Sequence, residues 1–454
     1  MESLDRKRRA IAAAIALMVA SASGAVAGGA CGGSGGTTAS GSGAPAPASA
    51  TAAAAGVGAP GAATTSPASA ASVPDEGMPA DALHRAAIVM DTHNDVTDRI
   101  LDEKVDIGTR LPDGHTDIPR MLEGGLDGEF LSVWVDPKAY PGEKGYERAL
   151  ALFEAIHGMI GAQHERAVLA LTAADVRAAA TRGKVAFLIG VEGGHALGDP
   201  AGPTGDDEIL ARLRRFHDMG ARYMTLTWSN SNRLGGSSGD DGKDRGLTDL
   251  GRRVVALMNE LGVMVDISHV SDATFFDAVK ASTRPVIASH SSARALADHP
   301  RNMTDEMLRA VAANGGAVCV NFGAIFLDTE YGKKADALRK SAEPEIDALM
   351  KKFSDPKEAA LARWTRIKEL AATLPAPPLS RLVDHIEHVA KVAGVDHVCL
   401  GSDFDGVPAL PAGLDDVSKL PRVTEELARR GWSGADLRKV LGENVLRVME
   451  ANGK

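Results

Sequence analysis

Cysteine is scarce in this 454-residue chain, and Cys31, Cys319 and Cys399 are spread without any Cys-x-x-Cys spacing. Too few and too scattered, they argue against a disulfide framework and a thiolate zinc site. Aromatic residues make up only 4% of the chain against 44% hydrophobic residues in all, so its core must be built from aliphatic side chains. Basic runs are missing beyond the first ten residues, and 50 Lys plus Arg stand against 60 Asp plus Glu for a formal charge of −10. That balance argues against a nucleic-acid-binding surface. Thirteen histidines are present, and a metal site of imidazole and carboxylate needs no cysteine.

Charge and aromatic residues are absent altogether from Gly32 to Pro74, a stretch of Gly, Ala, Ser, Thr, Pro and Val. Such a composition cannot bury enough apolar area to offset the entropy of ordering, so residues 32–78 are expected to be a tether. Ahead of it, Arg6 to Arg9 precede an apolar stretch from Ala10 to about Ala27, the arrangement of an export signal. That stretch is Ala-rich and Ser-broken, too weak for a membrane span. Residues 1–31 are therefore expected to direct export from a bacterial cell, to the periplasm, the medium or the cell envelope. Two outcomes stay open: cleavage after Ala27, or lipidation of Cys31 in a lipobox-like Gly28-Gly29-Ala30-Cys31, which would be the only tie to a membrane. The folded part, residues 79–454, is within the size range of one α/β barrel.

In that part, short apolar runs recur: Ala87 to Met90, Phe130 to Val135, Val185 to Val191, Arg222 to Thr227, Val263 to Ile267, Pro285 to Ala288, Ala317 to Phe322 and His397 to Gly401. Segments of helical spacing lie between most of them. Strand and helix in alternation predict a parallel sheet, and eight repeats predict closure into a (β/α)8 barrel, with a doubly wound open sheet as the alternative. A helical insertion around residues 326–377, rich in Ala, Lys, Glu and Leu, interrupts the last repeat; it could form a lid, and no chemistry is assigned to it.

Metal-capable side chains cluster where these runs end. The first run leads into Asp91-Thr92-His93-Asn94-Asp95, the third into Glu192-Gly193-Gly194-His195, the fifth into Asp266-Ile267-Ser268-His269, the sixth into Ser289-His290-Ser291 and the eighth into Ser402-Asp403-Phe404-Asp405. In a parallel barrel all strand C-termini share one face, the one on which barrel enzymes do chemistry. An extended His93-x-Asp95 would point both side chains to one side. His115-Thr116-Asp117 repeats that pattern away from any strand end, and His385 with His388 share a helix face, so these are expected to be structural. Three imidazoles and two carboxylates suit zinc and are too many for one tetrahedral ion with an open position. Two zinc ions are expected, with His93 and Asp95 on one, His269 and His290 on the other, and Glu192 bridging. A pair about 3.5 to 4 Å apart can share a hydroxide that is nucleophilic at neutral pH.

From about Ala82 to Val448 the chain resembles the membrane dipeptidase (renal dipeptidase) family, peptidase family M19. Besides the strand-end motifs, the resemblance rests on Thr116-Asp117-Ile118-Pro119-Arg120, Arg301-Asn302 and Gly401-Ser402-Asp403-Phe404-Asp405-Gly406. It implies a binuclear zinc site on a (β/α)8 barrel, with His93, Asp95, Glu192, His269 and His290 as ligands. It further implies Asp403 as proton shuttle, Arg301 as the holder of the substrate carboxylate, and a homodimer. Where the mammalian-type pattern reads Thr-Leu-Thr-His, this chain has Thr225-Leu226-Thr227-Trp228. An indole N–H can donate one hydrogen bond but cannot carry positive charge, so Trp228 is expected to bind substrate or wall the pocket.

The leading expectation is a zinc-dependent dipeptidase acting through a metal-bridging hydroxide, with Asp403 and Glu192 catalytic and Arg301 reading the free C-terminus of a dipeptide. The same site acting on a lactone, β-lactam or other cyclic amide is the alternative that Trp228 raises. A non-catalytic surface ligand-binding protein is the third, disfavoured because every ionisable position is kept.

Overall fold

The computed structural model describes residues 77–199 and 205–453; the expected export segment, Cys31 and nearly all of the tether lie outside the described residues. Nine parallel strands form one sheet: β1 (Met90–Asn94), β2 (Gly128–Trp134), β3 (Ala167–Leu169), β4 (Val185–Glu192), β5 (Ala221–Thr225), β6 (Met264–Asp266), β7 (Ile287–Ala288), β8 (Ala317–Val320) and β9 (Val398–Leu400). Eight run in the order β1-β2-β4-β5-β6-β7-β8-β9, and β3 hangs on the side of β4. A parallel bridge between Asn94 and Phe404 closes the ring, with Asp95 N donating to Phe404 O (2.9 Å) and Asp403 N to His93 O (3.1 Å). The fold is thus the expected (β/α)8 barrel, and the open-sheet alternative is overturned by that closure. All eight expected runs contain or overlap a barrel strand. β3 was not expected.

Alternation along the strands builds two cores. In β4, Ala186 and Leu188 join Met90, Phe130, Tyr223, Met264, Ile287 and Ala317 inside the barrel, while Phe187, Ile189 and Val191 face the helices. Aliphatic residues dominate both layers, as the low aromatic content requires. Crossover helices are delimited by their own sequence. Thr248 accepts from Gly251 N to start Asp249–Leu261, which Gly262 ends at φ 78°; Thr304 and Gly315 (φ 82°) do the same for Asp305–Asn314.

Two of the cysteines correct the sequence reading. Cys319 on β8 and Cys399 on β9 are register partners and form one disulfide inside the barrel. Two cysteines eighty positions apart carry no spacing signal; only the pairing of the last two strands, across the helical insertion, brings them together.

In the insertion, helices Thr329–Met350 and Pro356–Ala371 pack against each other. No helix among the described residues is long and apolar enough to cross a membrane.

Candidate active site

Strand ends deliver the ionisable groups, but not always as an extended chain would. β1 stops at Asn94, and Asp95 (φ −98°, ψ 14°) begins a helical turn. The turn, rather than strand alternation, carries Asp95 Oδ2 to 3.5 Å from His93 Nε2. Glu192, the last residue of β4, places Oε2 3.4 Å from His93 Nε2 and Oε1 2.9 Å from His269 Nε2 and 3.6 Å from His290 Nε2. One carboxylate oxygen thus faces each side of the pocket. His269, Asp403 and Asp405 hold φ of 66°, 62° and 63°. For residues with a Cβ that backbone costs about 1–3 kcal/mol, and it collects at this rim because the closing loops must aim side chains inward.

Solvent is nearly excluded from the cluster: His93, Glu192, His269, His290 and Asp403 are all buried. Burial pushes the His269 imidazole down to about 3, with the Arg301 cation adding to the effect, and pushes His290 well below the usual range for the same first reason. Both are neutral bases. Burial also opposes charge on His93, but there it is outweighed by Tyr223, Glu192 and Asp95, and the group is held well above its ordinary value.

The donor set fits metal ions. His93 Nε2 and Asp95 Oδ1 are buried without hydrogen-bond partners. Donors about 2.0–2.2 Å from a tetrahedral zinc lie roughly 3.3–3.6 Å from each other; the His93–Asp95, His93–Glu192 and His290–Glu192 separations are 3.5, 3.4 and 3.6 Å. His269 Nε2 and His290 Nε2 are 2.8 Å apart, a hydrogen-bond distance that brings the two rings together on the same side of Glu192. Single donor atoms of His93, Glu192 and His290 lie within 4.8 Å of one another, and so do those of His93, Asp95 and Asp403. His93 belongs to both triads.

Asp403 accepts from Asn321 Nδ2 through Oδ2 (2.7 Å). Burial first, then the nearby charges of Asp95 and Glu192, push its carboxyl well above the usual range. Arg301 spends Nη1 on Ser291 Oγ (3.2 Å) and Nη2 on the His290 carbonyl (3.0 Å), lies 5.6 Å from the Phe326 ring centroid and leaves Nε buried without a partner. Burial lowers it to about 10, so it stays a cation at neutral pH. Trp228 is half-buried, 6.3 Å from the His269 ring and edge-on to Trp134 at 5.1 Å. The predicted site residues are therefore brought together in one cluster at the strand ends.

Two carboxylates in the same strand-end motifs turn away from it. Asp91 takes Ser402 N (2.7 Å) and the Ser402 hydroxyl, and Asp266 takes four donors from Thr225, Ser268 and Ser289. His115 is a loop lock: its N donates to Asp405 Oδ1 (3.0 Å) and its Nδ1 accepts from Asp405 N (2.9 Å). His385 accepts from Ala293 N and bonds the Leu327 carbonyl, and His388 meets Asp305 at 2.7 Å. Sequence reasoning missed Trp134, Asn321, Ser132, whose Oγ reaches Glu192 (3.3 Å), and Tyr223, whose hydroxyl meets His93 Nδ1 (2.8 Å). All four lie inside or beside the expected runs, and only their facing the strand-end motifs could have marked them.

Comparison with known proteins bears on the fold and the family. A probable dipeptidase, PvdM, from Pseudomonas aeruginosa superposes with TM-score 0.69 at 25% identity, covering 82% of this chain and 97% of its own. A metallo peptidase from Rhodobacter sphaeroides, solved with a phosphinate mimic of the dipeptide L-Ala-D-Ala, gives TM-score 0.65 at 28% identity over 81% of this chain and all (100%) of its own. The family M19 metallo peptidase dipeptidase AC gives 0.64 at 29%, over 81% and 98%. Residues 78–453 match the family described as membrane dipeptidase (peptidase family M19), and the chain belongs to that family of metallo-dipeptidases.

Proposed function

We propose that the chain is an exported dipeptidase that works with two zinc ions, held by His93 and Asp95 on one side, His269 and His290 on the other, and Glu192 between. The single observation that carries this reading is the orientation of Glu192, with Oε2 toward His93 and Oε1 toward His269 and His290. When bound, such ions would acidify a shared water and polarise the peptide carbonyl.

The chain's own residues supply the rest. Arg301, a cation with an unspent Nε–H, binds the free C-terminal carboxylate and so restricts substrate length. Asp403, oriented by Asn321, takes the proton from the attacking water and hands it to the leaving amine. Trp228 and Trp134 wall the pocket on the His269 side and exclude water. The Rhodobacter sphaeroides relative, which takes a mimic of an L,D-dipeptide, supports acceptance of a D-residue on the C-terminal side. Export by residues 1–31, with a tether behind and Cys31 as a lipidation site, is supported by the Cys319–Cys399 bridge, since disulfides persist in oxidising compartments.

Trp228, in place of the imidazole of the mammalian-type pattern, favours a second reading in which the same site opens a lactone or cyclic amide. The test is metal analysis of purified protein with a panel of L,L- and L,D-dipeptides and lactones. Two zinc ions per chain, with dipeptide cleavage lost on chelation, is the expected result. Full activity in thoroughly demetallated protein overturns the metal reading, and lactone turnover without dipeptide cleavage overturns the substrate.

A further inference from the structure

Each histidine ligand has a second ring nitrogen, and what that nitrogen touches decides which one is left for a metal. His93 Nδ1 lies 2.8 Å from the Tyr223 hydroxyl, and that hydroxyl donates its only proton to the Thr92 carbonyl (3.1 Å). A carbonyl can only accept, so toward His93 the phenol oxygen must also accept. With the phenol proton directed at Thr92, the proton of His93 sits on Nδ1, and Nε2, which faces Glu192 and Asp95, carries the lone pair.

A different relay does the same for His290. Its Nδ1 lies 2.8 Å from Ser289 Oγ, which donates to Asp266 Oδ2 (2.6 Å). Asp266 also takes Thr225 Oγ1 (2.5 Å), Ser268 N (3.0 Å) and Ser289 N (2.9 Å), so it acts only as an acceptor. Ser289 thus spends its proton on Asp266 and accepts from His290 Nδ1–H, so that Nε2, which faces His269 Nε2 at 2.8 Å and Glu192, carries the lone pair. His269 has no comparable partner: Ser229 Oγ is 3.5 Å from its Nδ1, too long for a firm bond.

We infer that Tyr223 and Ser289 are positioning residues that lock His93 and His290 in the metal-binding tautomer, and that Asp266 makes the two halves of the site unequal. Behind His290 stands a full carboxylate one hydroxyl away, whereas behind His93 stand a neutral phenol and a carbonyl. An imidazole backed by a carboxylate is the stronger donor. Packing alone does not explain the phenol. Tyr223 is fully buried inside the barrel, where a phenylalanine would fill the same space but for the hydroxyl, and the neighbouring strand carries Gly190, where any side chain would overlap the Tyr223 ring.

This inference rests on the ligand assignment proposed above, and the experiment separates the two. Zinc and Co²⁺ affinities of the full chain, Tyr223→Phe and Ser289→Ala are measured by competition with a chromophoric chelator, alongside melting of the demetallated proteins and the Co²⁺ absorption spectra. Expected are two ions for the unmodified chain, unchanged melting of the metal-free variants, and a tenfold to hundredfold weakening (about the usual cost of an outer partner) of one ion in each variant. The spectra should show a different ion affected in each, with the larger loss in Ser289→Ala. Should Ser289→Ala melt early, Asp266→Asn takes its place: its amide would donate to Ser289, turn that hydroxyl toward His290 Nδ1 and weaken the same ion. Two ions in the unmodified chain with variant affinities within twofold overturns the inference. Fewer than two ions in the unmodified chain overturns the ligand assignment itself.

Discussion

His93, His269 and His290 at the barrel rim and His84 and His385 in the surrounding layers are all buried, yet they differ in how their nitrogens are used. His84 spends Nδ1 on Thr424 Oγ1 (2.7 Å) and Nε2 on the Gly124 carbonyl (2.8 Å), and His385 likewise pairs both nitrogens. At the rim, His93 pairs Nδ1 and leaves Nε2 without a hydrogen-bond partner, His269 and His290 meet through Nε2, and all three of these nitrogens converge on Glu192. Burial alone does not separate a candidate ligand from a strut. An unspent nitrogen aimed at another unspent donor does.

The contrast can be broken most forcefully at the rim. Glu192→Gln, or chelation of the unmodified chain, should reduce dipeptide turnover to background, with zinc restoring only the chelated protein; turnover by the Glu192→Gln variant at normal rates would deny the bridge. Asp403→Asn comes next, with kcat expected to fall by about 10²–10⁴ while metal content stays the same, as for loss of a proton-transfer group. Losing zinc along with the rate would make Asp403 a ligand instead.

Arg301→Ala should act on binding, raising KM for dipeptides about tenfold to a hundredfold, the worth of a charged hydrogen bond of about 1.5–3 kcal/mol. An effect confined to kcat would point away from the carboxylate. On the structural side, His84→Leu should lower unfolding free energy by about 1–3 kcal/mol for each polar group left unpaired, with kcat per folded molecule unchanged.

Acidification sharpens the same contrast. Burial, the leading cause, lowers His84 below its ordinary 6.5 and His385 to about 4. Below pH 6.5 the unfolded chain takes up protons that these residues refuse in the fold, so stability should decline as pH drops from 6.5 toward 4. The slope is up to about 1.4 kcal/mol per pH unit for each residue. Urea denaturation at pH 7 and pH 5 measures it, and His84→Leu should flatten it.

The barrel strands were legible because each apolar run is bounded by polar residues and recurs between helical segments. β3 was not, since three residues with one paired neighbour leave too short a pattern. His93, Glu192, His269, His290 and Asp403 stood out because five strand ends carried ionisable residues in one chain. Asp91 and Asp266 stood out equally and face elsewhere, and Tyr223 looked like one more apolar strand residue. No pattern along the chain distinguishes a strand-end carboxylate that points into the pocket from one that receives a loop's amides.

The amino-acid sequence by itself determined the alternation of strand and helix, the aliphatic core and the kinds of donor brought to the rim, because these follow from local periodicity and from the shared polarity of parallel strands. Tertiary structure alone decided the Cys319–Cys399 bridge, the turn that aims Asp95, and the tautomers of His93 and His290. Those depend on register and hydrogen-bond direction between residues far apart in the chain, and both are set only when β1 meets β9 and the barrel closes.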